Sequence, residues 1–223
     1  MFKDLEEMNK FLVRCEKCPR LVEFRVRVAE RKNRYFGENY WSKPVPGYGD
    51  HNGKFLILGL APAATGGNRT GRIFTGDKSA EFLVSCLYEV GFTNKGSSIS
   101  REDGLIYYDT YVTAVVKCVP PNDRPTPEEM KNCLPYLKFE IDTMRNLRAI
   151  LVLGRVAFQS LKMYYREKGI NIKDEFVNGS YIDINGVRVF MHYHPSPRNV
   201  NTGRVKREEF IDFLKEIKEY LMK

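Results

Sequence analysis

Three stretches of this 223-residue chain carry side chains able to do chemistry. The first is His194-Pro195-Ser196-Pro197-Arg198, which directly follows an apolar run at residues 187–193. A histidine at a strand end projects into the space beyond the sheet, where its ring N–H can donate a hydrogen bond. By alternation His192 shares that strand face, and a core histidine bonded to backbone fits it better. Ser196, Asn199, Asn201, Thr202 and Arg204 offer donors of the kind that grip phosphate oxygens. Arg207 is a further candidate, and a solvated loop is the competing reading for each of them.

The second stretch runs from Ala61 to Asp77 and is dense in small residues and hydroxyls. Small residues let backbone N–H groups approach a ligand closely. Neither the GxxxxGK[ST] order of a P-loop nor a GxGxxG fingerprint occurs in it. Phe74 sits among polar and glycine neighbours, a setting that suits a stacking platform better than a core aromatic. Asp77 precedes a helical pattern, and helix N-cap is its first expected role. Arg69 and Arg72 are set to touch phosphates or to stand in solvent.

The third is the cysteine set: Cys15, Cys18, Cys86, Cys118 and Cys133. An odd count argues against a disulfide scaffold. Cys15-Glu16-Lys17-Cys18-Pro19 is a CxxC turn whose two thiolates can reach one metal centre. Cys118 and Cys133 supply two more ligands if the fold brings them there. Four thiolates suit tetrahedral zinc or an iron–sulfur cluster, a CxxC can also be a redox pair, and unrelated thiols remain the bland alternative. Cys86 falls in the apolar pattern of a helix and reads as core.

The elements that must position these groups alternate. Apolar runs at 55–60, 111–116, 149–153 and 187–193 predict buried strands, and helical patterns at 79–90, 127–146 and 156–168 lie between them. Residues 181–184 pair with the last run through Asn185-Gly186, a hairpin turn signal. Helices are also expected at 3–14 and along a basic stretch at 21–32. A final helix turns Phe210, Phe213, Leu214, Ile217 and Leu221 toward the sheet. Strand–helix alternation predicts an α/β domain with a mainly parallel sheet. Ligands of such sheets bind beyond the carboxyl ends of the strands, where all three stretches fall.

With 36 Lys+Arg against 28 Asp+Glu the formal charge is +8, compatible with a polyanionic partner. No run approaches the roughly 18 apolar residues of a membrane span. The acidic amino terminus does not resemble a signal peptide. A cytoplasmic, non-membrane protein is expected.

The segments GLAPAATGGNRTGRIFTGD, VVKCVPPNDRPTP and HPSPRNVNTGR together closely resemble the uracil-DNA glycosylases that carry a cluster, most of all family 5 (type b). The resemblance runs from about Cys15 to Arg204. It implies a three-layer α/β/α fold around a four-stranded parallel sheet, with residues 1–223 forming one domain. It implies a structural [4Fe–4S] cluster on Cys15, Cys18, Cys118 and Cys133, and a monomer that acts on DNA containing uracil or other deaminated bases such as hypoxanthine. His194 would then donate to uracil O2, Phe74 would stack on the extruded base, and Ala61 with Thr113 or Ala114 would wall it. Arg198 would be the wedge or a phosphate contact. Leu60 stands where many relatives carry a carboxylate, so Asp77 or Asn68 is left to position water. No amine is placed for a lyase step, and a monofunctional enzyme is expected.

Overall fold

The computed structural model describes residues 2–31 and 35–223. Six strands form one sheet: β1 (Tyr48–Gly49), β2 (Phe55–Gly59), β3 (Thr110–Ala114), β4 (Ala149–Leu153), β5 (Ser180–Ile184) and β6 (Val187–His192). Their order is β1-β3-β2-β4-β6-β5. The inner four strands are parallel, as expected, and an antiparallel strand is added at each edge. The outer pair β5–β6 is the hairpin signalled by Asn185-Gly186, with Asn185 in the left-handed region that such a turn requires. The two-residue β1 lies in a loop with no apolar run to announce it.

Helices cover both sheet faces, so β2, β3 and β4 are buried along their whole length; β2 and β4 read as apolar runs, and β3 is interrupted by Thr113. Alternation sends successive residues to opposite layers. Phe55, Ile57, Val112, Ala114, Leu151 and Phe190 face a core completed by α4 (Lys78–Val90) and α8 (Arg207–Met222). The five apolar residues expected on the inner face of α8 are all buried there. Leu56, Leu58, Tyr111, Ile150, Val152 and Met191 face a second core under α5 (Pro127–Thr143) and α6 (Arg155–Glu167). The result is an α/β/α sandwich.

Helix ends move by a few residues from expectation, each for a local reason. Asp4 caps α1 (Leu5–Leu12) by accepting from the Glu7 N–H at 2.8 Å. Pro19 opens α2 (Pro19–Arg27), which ends before the expected Lys32; Lys32 itself lies outside the described residues. Thr126 and Glu129 form a capping box at the start of α5. Two short helices, α3 (Gly67–Thr70) and α7 (Pro197–Asn201), sit in the segments that follow β2 and β6.

Candidate active site

The carboxyl ends of β2, β3, β4 and β6 point the same way, and parallel register pairs Gly59 with Ala114 and Leu153 with His192. Loops leaving these ends meet on one edge. Phe74 arrives from the loop after β2, held at φ +47°, and against expectation it is a core aromatic, 7% exposed and packed with the layer that α4 and α8 complete. Its ring lies over Gly59, where a Cβ would meet the ring at 2.9 Å. His194 arrives two residues beyond β6. The two ring centroids are 5.9 Å apart with planes inclined by 27°.

This geometry decides how a base can be held. The separation is less than twice the roughly 3.4 Å step between stacked bases, so no base fits between the rings. The imidazole is nearly parallel to Phe74 and offset from it. A base laid on Phe74 beside the imidazole therefore presents its edge to the ring nitrogens, the orientation in which N–H donates to a carbonyl.

The His194 backbone is fixed. Its carbonyl accepts from Asn199 Nδ2 at 2.8 Å and from the Ser196 N–H at 2.8 Å. Ser196 caps α7 by accepting from the Asn199 N–H at 3.3 Å. The imidazole itself has no hydrogen-bond partner among the described residues and keeps partial access to solvent. Desolvation by the surrounding protein pushes its pKa down to about 4, so the ring is neutral at physiological pH. His192 is a core histidine, as expected: it packs edge-on against Phe210 and shares a hydrogen bond with the Tyr193 carbonyl.

Asp77 does cap α4, accepting from Ser79 N at 2.9 Å and Ala80 N at 3.0 Å through Oδ1. Its Oδ2 takes no part in the cap. That oxygen lies against Gly66, where a Cβ would approach to 1.9 Å, so the close approach requires glycine. Burial raises the Asp77 pKa against the opposing pull of the two cap N–H groups and of Arg69.

Several sequence expectations are corrected. Thr113 does not face a base: alternation turns it to the opposite layer, where its hydroxyl donates to Glu140 at 3.1 Å and accepts from Lys117 Nζ. Ala114 is the β3 residue on the Phe74 side. Ala61 is half-buried just beyond β2 but packs toward the α5–α6 core. Asn68 is 1% exposed; its Nδ2 donates to the Arg25 carbonyl at 3.0 Å and its Oδ1 is buried with no partner among the described residues, so its amide is turned into the protein and braces α2.

Nor do the two arginines of the loop reach outward. Arg69 donates to the Thr65 and Gly76 carbonyls and to Glu38, and covers the ring of Tyr35. Arg72 is 2% exposed, pairs with Asp103 at 2.8 Å and donates to Thr75 and Ser98. Arg207 is likewise committed, to Ser85 and Glu89. The guanidinium groups of Arg198 and Arg204 are exposed and hold no partner among the described residues, so these two can meet a phosphate.

Arg72→Ala is accordingly expected to cost about 3–5 kcal/mol of stability by stranding Asp103, without changing the salt dependence of DNA binding. Burial alone would raise the Asp103 carboxyl, but Arg72 and the Ile99 and Leu105 N–H groups hold it well below the usual carboxylate range. Its contribution is therefore present at neutral pH and is lost as pH falls below about 3.9. Acid titrations followed by circular dichroism should show the variant unfolding at higher pH than the parent.

Cys15, Cys18, Cys118 and Cys133 line a single cavity, together with Leu21, Arg25 and Lys117. Arg25 donates to Cys118 Sγ at 3.3 Å, and Asn132 Nδ2 to Cys18 Sγ at 3.6 Å. Burial pushes the thiols of Cys118 and Cys133 up to about 11 and about 12 and raises that of Cys18. Among the described residues no three Cys, His, Asp or Glu side chains converge tightly enough to hold one ion. Cys86 is core, as expected.

Beside the cavity is a buried network that sequence reading missed. Lys117 Nζ lies 2.6 Å from Glu140 Oε2, both side chains are at most 1% exposed, and Tyr111 and Thr113 complete it. A lone lysine inside the apolar run Val115-Val116-Lys117-Cys118-Val119 was the available signal.

Among the described residues no helix is long and apolar enough to cross a membrane. A profile described as the uracil DNA glycosylase superfamily matches residues 46–218, which hold the sheet, Phe74, Asp77 and His194. The Type-5 uracil-DNA glycosylase of Pyrobaculum aerophilum is 45% identical, over 92% of this chain and 88% of that protein. The Type-5 uracil-DNA glycosylase of Thermus thermophilus is 40% identical, over 96% and 97%. A Type-4 uracil-DNA glycosylase of Pyrobaculum aerophilum is 28% identical over 86% and 83%. A match over residues 46–218, with relatives 40–45% identical over most of both chains, shows the family: the chain belongs to the uracil DNA glycosylase superfamily.

Proposed function

We propose that this protein is a monofunctional DNA glycosylase that flips uracil, and other deaminated bases such as hypoxanthine, out of DNA and hydrolyses the N-glycosidic bond, leaving an abasic site. The observation that carries this reading is the neutral, unpartnered imidazole of His194 lying beside and nearly parallel to Phe74. Extruding a base costs a few kcal/mol, least at a mismatch. Phosphate contacts by Arg198, Arg204 and the polar groups of residues 196–202 would offset that cost, and Arg198 is the exposed candidate to fill the vacated stack. The base then rests on Phe74 with Ala114 behind it.

Bond cleavage leaves positive charge on the sugar and negative charge on the base. A neutral His194 N–H donating to uracil O2 stabilises the departing anion without being required to ionise. Asp77 Oδ2, facing the glycine loop, orients the water and offsets the sugar's charge.

The four cysteines are the proposed ligands of a [4Fe–4S] cluster. They surround a cavity and not a point, which favours a polynuclear centre over zinc, and donors from Arg25 and Asn132 to the sulfurs suit bound thiolates. When bound, the cluster would tie the α1–α2 turn to Cys118 beyond β3 and to Cys133 within α5. The protein is taken to act as one domain and as a monomer on DNA.

The test is incubation with duplex containing a G·U pair, followed by alkaline cleavage. Strand breaks at the uracil only after alkali are expected. Breaks without alkali would indicate a lyase, and an intact strand would leave a binding protein. A brown preparation absorbing near roughly 400 nm is expected for the cluster, and a colourless one counts against it.

A further inference from the structure

Arg25 joins the cysteine cavity to the loop that flanks Asp77. Its guanidinium donates to Cys118 Sγ at 3.3 Å and to the Cys15 carbonyl at 3.1 Å, touching both halves of the cysteine set. Its carbonyl belongs to the last turn of α2, whose acceptors lack helical partners. The Ala29 N–H bonds to Val26, which leaves the Arg25 carbonyl to Asn68 Nδ2. Asn68 sits in α3, directly after Gly66 and Gly67, and Gly66 packs on the Asp77 carboxylate. Both Arg25 and Asn68 are at least nine-tenths buried, so water does not readily replace either contact. Trp41 and Ser42 fix α3 from its other side through the Arg69 and Asn68 carbonyls.

We propose that Arg25 and Asn68 are positioning residues forming a relay, in which an intact cysteine site holds the glycine loop that places Asp77. The relay rests on the reading that the four cysteines hold a cluster. When the sulfurs are bound, Arg25 is held at Cys118 and Cys15, and α2 presents the carbonyl that Asn68 grips. When they are released, that anchor is lost and residues 63–71 open more often.

The test follows amide hydrogen exchange over residues 63–71, with iron content and absorbance near roughly 400 nm read on the same samples. In the wild-type protein, stripping iron with a chelator is expected to speed exchange in this segment, while α8 stays protected. Asn68→Ala should keep its iron and lose it to chelator at the wild-type rate. It should nevertheless exchange at 63–71 about tenfold faster from the outset and respond little to chelation. Arg25→Met should lose iron to chelator about tenfold faster, and Arg25→Lys should recover part of that difference.

Unchanged exchange on chelating the wild-type protein overturns the relay and needs no variant to fold. So does an Asn68→Ala protein whose loop still responds to chelation as the parent does. A wild-type protein that carries no iron or sulfide overturns the cluster reading and the relay with it. Iron present with an unresponsive loop overturns the relay alone.

Discussion

His194→Ala is expected to lower single-turnover excision of uracil by about 10²–10³-fold, the effect of removing one donor to a developing oxyanion. Affinity for the duplex should be nearly unchanged, because the phosphate contacts proposed above lie in Arg198, Arg204 and the α7 segment. The pH profile separates this donor from an ionised histidine. An imidazolium donor would make the rate fall as pH rises through the ordinary histidine value of 6.5. A neutral donor with pKa near 4 gives no break there, and protonation matters only as pH falls toward 4. Asn199→Ala provides a second reading: it removes one of the two donors to the His194 carbonyl, leaving the Ser196 N–H, without touching the ring, so it should slow excision less than His194→Ala does. An unchanged single-turnover rate in His194→Ala would take the imidazole out of the reaction.

The parts of this molecule legible in the sequence are those whose signals are local. The strand at 149–153 is recovered to the residue because a parallel strand buried on both faces is an apolar run with sharp ends. The position of His194 at the sheet's edge was legible because an apolar run ended beside it. The choice between Thr113 and Ala114 was not, because it turns on register: Gly59 pairs with Ala114, and only then is it fixed which of the two neighbours shares the Phe74 layer. Long-range pairing hid the rest. The partner of Arg72 stands 31 positions away at Asp103, and that of Arg69 31 positions away at Glu38. An arginine in a glycine-rich loop reads as solvated until such a partner is in view. Lys117 and Glu140 hid for the same reason, since two charges on different elements give no sign that they are buried together.

The corrections sharpen the chemistry. With Arg69 and Arg72 committed internally, the loop after β2 is a built support and not a phosphate grip. Its cations hold Tyr35, Glu38, Ser98 and Asp103, and its glycines admit the Asp77 carboxylate. Under the proposed function, contact with DNA then falls to the exposed Arg198 and Arg204 of the segment after β6.

Asp77 carries two roles that a single substitution would confuse, and Asp77→Asn separates them. Asparagine caps a helix about as well as aspartate, so the α4 terminus should survive with little loss of stability. It cannot carry the negative charge that Oδ2 supplies. Asp77→Asn is therefore expected to slow excision by about 10²-fold or more, while Asp77→Ala adds a loss of about 1 kcal/mol from the missing cap. Burial has raised the carboxyl pKa, so the active, ionised form is lost as pH falls through a value above the ordinary 3.8. The acid limb of the wild-type rate profile should start there and should disappear in Asp77→Asn, leaving only the His194 protonation near 4. Gly66→Ala checks the same point from the other side, because its methyl would meet Oδ2 at 1.9 Å and push the carboxylate away with its charge intact. If position as well as charge matters, Gly66→Ala slows excision too while α4 stays folded. If Asp77→Asn turns over at the wild-type rate with an unaltered acid limb, the carboxylate is a helix cap and nothing more.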